Sequence, residues 1–498
     1  MTWGILYFHM EVTMRLRTTL AAAAARIALK ACHLTGRPGS SLPGRAALRT
    51  DPNIISALAG QVRRGIIVTC GTNGKTTTNN LLCDALEAQG FRVVSNRLGA
   101  NMIEGIAAAL ATAADPLKGL DADYACLEVD EASSVRVLEY LKPDHMILLG
   151  LFRDQLDRYG EIDLTMKALE KAVRLAPDMK LVINGDDPLT AYLAMKTGSP
   201  FTAFGVGEPA GSNDLRGEMA SAARSGSNDP GGQMTSQVAS TCPPATHEIR
   251  ESRFCENCGA PLHYDHYHFS QLGIYRCPSC GFQRPAISYE AINVSLSPHL
   301  SFDIREALRS QPGPVIVSPM TGFYNVYNIL AVYSVLREAN LPVDKFNDTL
   351  HDFRPQFGRC EVFFFGENNA QKVLLNLAKN PAGFNQNISS MLLDRTPKDL
   401  IIAINDNAQD GRDVSWLWDV DFDRLADGTI RSITVSGLRA LDMQLRLKYA
   451  GIHSLAAPTV EDAIDRQLAC GCDNLYVLVN YTALYPAHQF LSRKERSK

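Results

Sequence analysis

The chain has 498 residues, 46% of them hydrophobic and 20% charged, with 49 Lys and Arg against 53 Asp and Glu for a formal net charge of −4. That length exceeds what a single core organises, so two or three domains are expected. The slightly acidic balance excludes broad electrostatic attachment to nucleic acid, and no apolar run approaches the roughly 18 residues needed to span a bilayer.

The stretch MRLRTTLAAAAARIALKACHL reads as an N-terminal helix, because Arg26 and Lys30 interrupt the apolar run a signal peptide would need. Residues 1–50 are assigned to this helical segment. From 51 to about 350 a first α/β domain is expected. Its strands are GIIVTC, FRVVSN, DYACLEV, DHMILLGLF and KLVING, with helical runs such as IEGIAAALATAA between them, the rhythm of a mostly parallel sheet. A Gly/Ser-rich stretch at about 207–247 reads as a mobile insertion. A cysteine-rich module follows over 253–284, and SPMTGFYNVYNILAVYSVLREANLP reads as a long helix ending near Asn340. A smaller α/β domain over 351–498 carries the strands KVLLN, DLIIAIN, RSITVSG and DNLYVLVNY, the last of which is expected to close the chain.

TCGTNGKTTTNN lies between the strand GIIVTC and a helical run. A strand–turn–helix junction points backbone N–H groups and the positive end of the helix dipole at an anion. Gly71 and Gly74 let the backbone approach phosphate oxygens, and Thr72, Asn73, Gly74, Lys75, Thr76 and Thr77 form the candidate nucleotide loop. Lys75 reaches the terminal phosphates, and the Thr76 hydroxyl is a Mg²⁺ ligand. The run ACLEVDEAS offers Glu128, Asp130 and Glu131 as the carboxylate Mg²⁺ requires. Glu128 is chosen because it ends the apolar run.

The module reads Cys255-x2-Cys258, eighteen residues, Cys277-x2-Cys280. Two such knuckles joined by a hairpin bring four thiolates onto one Zn²⁺, and a closed four-cysteine set is structural. His263, His266 and His268 are then expected on the hairpin surface. The flanking charges are mixed, which argues against a nucleic-acid-binding zinc ribbon. The other cysteines are scattered, as in a reducing cytoplasm.

NDNAQDGRDVSW, after the strand DLIIAI, carries Asp406, Asp410 and Asp413 at the carboxyl end of a strand, where ligands gather in open α/β sheets. It reads either as a functional loop or as a turn satisfying its own backbone. No G-x-C-x-G elbow is present for an intrinsic glutaminase, and Cys470 and Cys472 read as packing residues.

Taken together, the short GTNGKT loop, LDRYGE after a strand, INGDDP and GFYNVYN resemble the Mur ligase superfamily from about Thr69 onward. That resemblance implies a Mur-ligase-like central ATPase domain with an inserted zinc ribbon, and a smaller α/β C-terminal domain. It also implies ATP-dependent activation of a carboxylate as an acyl phosphate. By the same resemblance Asn328 contacts adenine, Arg359 faces phosphate, and Lys379 serves from the C-terminal domain. Gln155 stands where the family carries a metal-binding His, Leu377 where it carries a ribose-contacting Asp, and Lys167 and Lys171 are both candidates for its carbamylated lysine. LAKNPAGFNQ, INDNAQDGRDVSWLWDVDF and the four-cysteine insertion are similar to the MurT-type subunits of lipid II isoglutaminyl synthases. This implies amidation of the D-Glu α-carboxyl of lipid II in peptidoglycan synthesis, in the cytoplasm at the inner face of the plasma membrane. Ammonia would come from a GatD-like glutaminase, with Asp410 completing that partner's Cys-His-Asp triad and Asp413 and Asp406 as the neighbouring choices. The alternatives are a stand-alone Mur or folylpolyglutamate-type ligase, which the zinc module and DGRDVSW disfavour, and a non-catalytic nucleotide-binding scaffold.

Overall fold

The computed structural model describes residues 2–496, apart from 35–38, 98–99, 154–161, 209–251, 298, 310–312, 355–357 and 359. At the N-terminus stand three helices, α1 (Thr2–Leu34), α2 (Leu42–Thr50) and α3 (Ile54–Ala59). The first sheet has nine strands: β1 (Gly65–Cys70), β2 (Val93–Ser95), β3 (Tyr124–Glu128), β4 (His145–Leu148), β5 (Lys180–Asn184), β6 (Phe201–Val206), β9 (Tyr289–Ser295), β10 (Leu300–Glu306) and β11 (Val315–Ser318). Their spatial order is β11-β10-β9-β6-β5-β4-β1-β3-β2. Pairing is parallel from β2 to β9, and β10 and β11 add an antiparallel edge.

The central parallel strands β1, β3, β4, β5 and β6 are mostly apolar because both faces are covered, whereas the antiparallel edge strands β10 and β11 alternate buried with more exposed residues. Alternation along β1 shows it: Ile66 and Val68 enter one core, and Ile67 enters the other. α1 to α3 pack over the first face with α5 (Ile103–Ala113), α6 (Ser134–Leu138), α7 (Ile162–Arg174) and α8 (Pro188–Thr197). The second is covered by α4 (Lys75–Glu87), α9 (Tyr324–Glu338) and α10 (Phe346–Asp352). α9 ends at Glu338, and Asn340 just beyond it has φ +57, a left-handed residue that turns the chain away.

Between β6 and β9 the chain forms a hairpin, β7 (His263–Phe269) with β8 (Leu272–Arg276), carrying the two cysteine knuckles. The mobile insertion expected at 207–247 lies, beyond residue 208, outside the described residues.

The second sheet holds β12 (Glu361–Phe365), β13 (Gln371–Leu377), β14 (Lys398–Ala403), β15 (Ile430–Ser436), β16 (Leu455–Ala456) and β17 (Asn474–Val479), in the order β12-β13-β17-β14-β15-β16. Around it lie α11 (Pro381–Leu393), α12 (Ala440–Tyr449) and α13 (Val460–Ala469). The run DNLYVLVNY is β17 but does not close the chain. α14 (Tyr481–Arg496) follows it, with Pro486 inside. An internal proline counts against a helix; here burial of Ala483, Ala487 and Leu491 against the second sheet's core outweighs it.

Candidate nucleotide and metal sites

A cleft of about 1190 Å³, open to solvent, lies at the carboxyl end of β1 between the two sheets. One wall is the loop Thr72–Thr77, and the other comes from the second sheet, with Asn376, Lys379, Gly383 and Tyr481. The loop needs its glycines. Gly71 and Gly74 have φ +127 and +83, and a Cβ on Gly74 would lie 2.2 Å from the Asn328 Oδ1. Thr72 fixes the far side: its N–H donates to the Gly150 carbonyl (2.8 Å), and its hydroxyl accepts from the Phe152 N–H (3.0 Å).

Lys75, first residue of α4, is buried with its ammonium donating to the Gly71 carbonyl (2.6 Å) and to Glu131 (3.0 Å). Burial opposes the charge, yet Glu131, Asp130 and Glu128 hold the ammonium well above its usual range. The lysine is therefore a fixed cation folded back over the loop. The Thr76 hydroxyl donates to Glu128 Oε2 (2.5 Å), and Asn101 donates to Glu128 Oε1 (3.0 Å). Asn96 clamps the Glu128 backbone through both its N–H (2.9 Å) and its C=O (2.8 Å). A hydroxyl and a carboxylate held side by side at a phosphate loop form the all-oxygen donor set that suits Mg²⁺.

Asn328 on α9 receives the Thr78 hydroxyl (3.3 Å) and donates to Asn325 (2.9 Å). Lys379 lies with its ammonium 5.6 Å from the Tyr481 ring centroid. Arg359 and Gln155 are outside the described residues. Lys167 and Lys171 are exposed on α7.

Several lining residues were not singled out from the sequence. Phe269 and Leu272 come from the cysteine hairpin, and the Tyr324 hydroxyl and the Cys360 thiol share a hydrogen bond of 3.2 Å. The tyrosine's place in GFYNVYN was the available signal; for Phe269 and Leu272 none existed, since only tertiary packing brings the hairpin to the cleft.

In the cysteine module the Sγ atoms of Cys255 and Cys280, and of Cys258 and Cys277, are each 3.5 Å apart, and all four lie within 4.8 Å of one another. A tetrahedron with metal–sulfur bonds of about 2.3 Å has sulfur–sulfur edges of about 3.8 Å. The four thiols therefore fit one tetrahedral ion.

The expectation for His268 is corrected. Its side chain is buried, with Nε2 at 3.0 Å from the Val206 carbonyl and 3.7 Å from Asp186. Desolvation lowers its pKa to about 4. Asp186 in turn accepts from Arg284 (2.6 Å) and the Tyr327 hydroxyl (2.8 Å), so the hairpin is locked to β6 and α9.

The loop 405–413 is pinned to the head of α14. Asp410 is buried and accepts from the Thr482 N–H (2.9 Å) and from its hydroxyl. Burial pushes its carboxyl up, and the Thr482 bonds offset part of that. Asp413 accepts from the Ser415 N–H (2.8 Å), and Asp406 lies 3.6 Å from Arg439. Both are more exposed than Asp410.

Two family models match: the Mur ligase middle domain over residues 68–239 and the MurT ligase C-terminal domain over residues 377–484. The lipid II isoglutaminyl synthase (glutamine-hydrolyzing) subunit MurT of Staphylococcus aureus strain COL is 34% identical over 481 residues, covering 96% of this chain and 98% of that one. The chain belongs to the MurT family. A second MurT, from Streptococcus pneumoniae strain R6, is 31% identical over 97% of this chain and 98% of its own. Among solved structures, a pseudomurein peptide ligase type C from Methanothermus fervidus aligns with TM-score 0.62 and 17% identity, over 87% of this chain and 79% of that chain. MurF from Acinetobacter baumannii aligns with TM-score 0.60 and 14% identity, over 91% and 80%. The chain therefore has the Mur-ligase-like α/β fold.

Proposed function

We propose that this chain is the ATP-dependent synthetase subunit of a lipid II isoglutaminyl synthase, acting in peptidoglycan synthesis at the inner face of the plasma membrane. It converts the α-carboxyl of the D-Glu in lipid II to an amide. The observation that carries the reading is the single cleft in which Lys75, Thr76 and Glu128 face Lys379 and Gln386 of the second sheet's domain.

In this scheme the phosphates of ATP lie on the loop, with adenine toward Asn328 and with Thr76 and Glu128 as the Mg²⁺ ligands. Bound there, the ion supplies Lewis-acid polarisation of the phosphates. A substrate carboxylate oxygen attacks the γ-phosphorus, the bond to ADP breaks, and Lys75 offsets the charge on the transferred group. Ammonia then adds to the acyl carbon and phosphate leaves. Zn²⁺ held by the four cysteines is structural, since four thiolates close the site.

Ammonia comes from a GatD-like glutaminase, and Asp410 orients that partner's histidine. A triad aspartate is buried and held by hydrogen bonds, as Asp410 is by Thr482. A docking face adjoins it. Leu441, Leu445 and Tyr449 lie exposed along α12 at i, i+4, i+8, and Trp418 meets Tyr449 edge-on at 5.4 Å. Arg439, at the head of α12, reaches Asp406 in the acidic loop.

The test is ADP release by the complex with lipid II and glutamine, with mass spectrometry of the stem peptide. Release that requires lipid II, with replacement of one hydroxyl by an amino group, is expected. Nucleotide turnover indifferent to lipid II would instead assign a scaffold.

A further inference from the structure

α1 buries Ala21, Ala22, Ala25 and Cys32, packing on α2 and α5, and turns its other face outward. On that face Leu16, Leu20, Ile27 and Leu34 are between 53 and 89% exposed. At 3.6 residues per turn these four positions fall within an arc of about 40°, a single apolar stripe along the helix.

The charge along this segment of the sequence has one sign. From Leu16 to Thr50 the sequence holds six Lys or Arg and no Asp or Glu, in a chain whose net charge is −4. Arg17 and Lys30 are exposed on α1, Arg45 and Arg49 on α2, and Leu42 at the head of α2 is exposed beside them. None of the described helices is long and apolar enough to cross a membrane. A helix with an apolar stripe and cationic flanks lies in the plane of an anionic bilayer surface instead of spanning it.

This layer is joined to the nucleotide loop through one element. Gly44 of α2 packs so closely on the start of α5 that a Cβ there would lie 1.7 Å from the Glu104 carbonyl oxygen. Asn101, two residues before α5, donates to Glu128 at the loop.

We propose that the exposed faces of α1 and α2 form an interfacial docking surface for an anionic phospholipid bilayer. Leu16, Leu20, Ile27 and Leu34 enter the headgroup boundary, and Arg17, Lys30, Arg45 and Arg49 face the lipid phosphates. The use of that docking, presenting a lipid-anchored substrate to the cleft, rests on the function proposed above; the docking itself does not.

The experiment is sedimentation of the full chain with vesicles of phosphatidylcholine alone or with phosphatidylglycerol. Wild type is expected to sediment with the anionic vesicles and to be released by salt. The double variant Leu20→Glu/Ile27→Glu, and separately Arg17→Glu/Lys30→Glu, should each lower the partition coefficient roughly tenfold or more. Unchanged circular dichroism and ADP binding would show that both variants fold. On lipid II in a bilayer the variants should lose rate, and on a water-soluble short-chain analogue they should match wild type. Equal partitioning of wild type and both variants would overturn the proposal. So would a vesicle-independent wild-type dimer that Ile27→Glu dissolves, which would assign the stripe to self-association. If neither substrate is amidated, the functional reading fails while the vesicle result still decides this one.

Discussion

Asn73 of the phosphate loop and Asn380 at the head of α11, 307 residues apart, exchange amide hydrogen bonds: Asn380 Nδ2 donates to Asn73 Oδ1 at 3.2 Å, and Asn73 Nδ2 to Asn380 Oδ1 at 3.5 Å. The same Asn380 oxygen accepts from the Gly383 N–H (2.8 Å) and so caps α11. One side chain thus terminates a helix of the second sheet's domain and braces the loop of the first. Asn380→Ala should cost about 1 kcal/mol for the cap alone and should also weaken nucleotide binding. Asn73→Ala, which leaves the cap intact, should weaken nucleotide binding with little change in thermal midpoint. Calorimetric ADP titration beside thermal unfolding of the two variants separates the effects.

Lys75 is held between the loop and three carboxylates. On the proposed scheme, in which this cation offsets charge on the transferred phosphoryl group, Lys75→Ala should lower the amidation rate on the order of 10²-fold or more. It also leaves Glu131, Glu128 and Asp130 clustered without their counter-ion, so nucleotide affinity should fall as well. Wild-type rates in this variant would remove the loop from the chemistry.

The four thiols fit one ion, and the hairpin they hold supplies Phe269 and Leu272 to the cleft. Metal-binding energy in so small a module is folding energy. Cys258→Ser should therefore lower bound zinc, measured by elemental analysis, together with the thermal midpoint. Unchanged stability and activity after metal loss would show the ribbon to be dispensable.

His268 gives an acid dependence with a definite sign. A free histidine titrates near 6.5 and this one near 4, so the unfolded chain binds more protons between those values. The stabilisation is full above pH 6.5 and is lost as pH falls toward 4. His268→Gln, which keeps a donor for the Val206 carbonyl, should flatten that loss relative to wild type by on the order of 3 kcal/mol. Asp187, buried and pushed up to about 7, acts in the opposite direction, losing stability as pH rises toward 7. The comparison is therefore between variant and wild-type denaturant curves at each pH, not the wild-type profile alone.

The parallel sheet and the loop were legible because periodicity and glycine placement are local signals: GIIVTC and GTNGKT need no partner to be read. Cys255, Cys258, Cys277 and Cys280 were legible for the same reason, since x2 spacing encodes a knuckle. What escaped depended on contacts far apart in sequence. His268 lies among polar and aromatic residues and was expected on the surface, yet the Asp186–Arg284–Tyr327 cluster buries it. α14 was missed because Pro486 masks a helix that the second sheet's core stabilises. Asn380 gave no sign of its link to Asn73, because capping is visible in a sequence and bracing across 307 residues is not.

The role proposed for Asp410 can be tested by separating the two half-reactions. Its two oxygens receive the N–H and hydroxyl of Thr482, which orients the carboxylate and leaves further lone pairs for an outside donor. If those face the histidine of the glutaminase, Asp410→Asn should cripple glutamine-dependent amidation. The amide can still accept from Thr482 through one atom, but it no longer carries the charge that stabilises an imidazolium. Lys75, Thr76 and Glu128 remain in place in that variant, so free ammonium at high pH should restore amidation of lipid II. Lys75→Ala should fail with either nitrogen source. Thr482→Val removes the hydroxyl donor while keeping the Asp410 charge, and it should lie between the two, with a partial loss confined to the glutamine reaction. If ammonium does not rescue a folded Asp410→Asn, the residue belongs to the synthetase cleft. If glutamine still supports the wild-type rate, the more exposed Asp413 or Asp406 serves the partner, and the Thr482–Asp410 contact is a helix anchor.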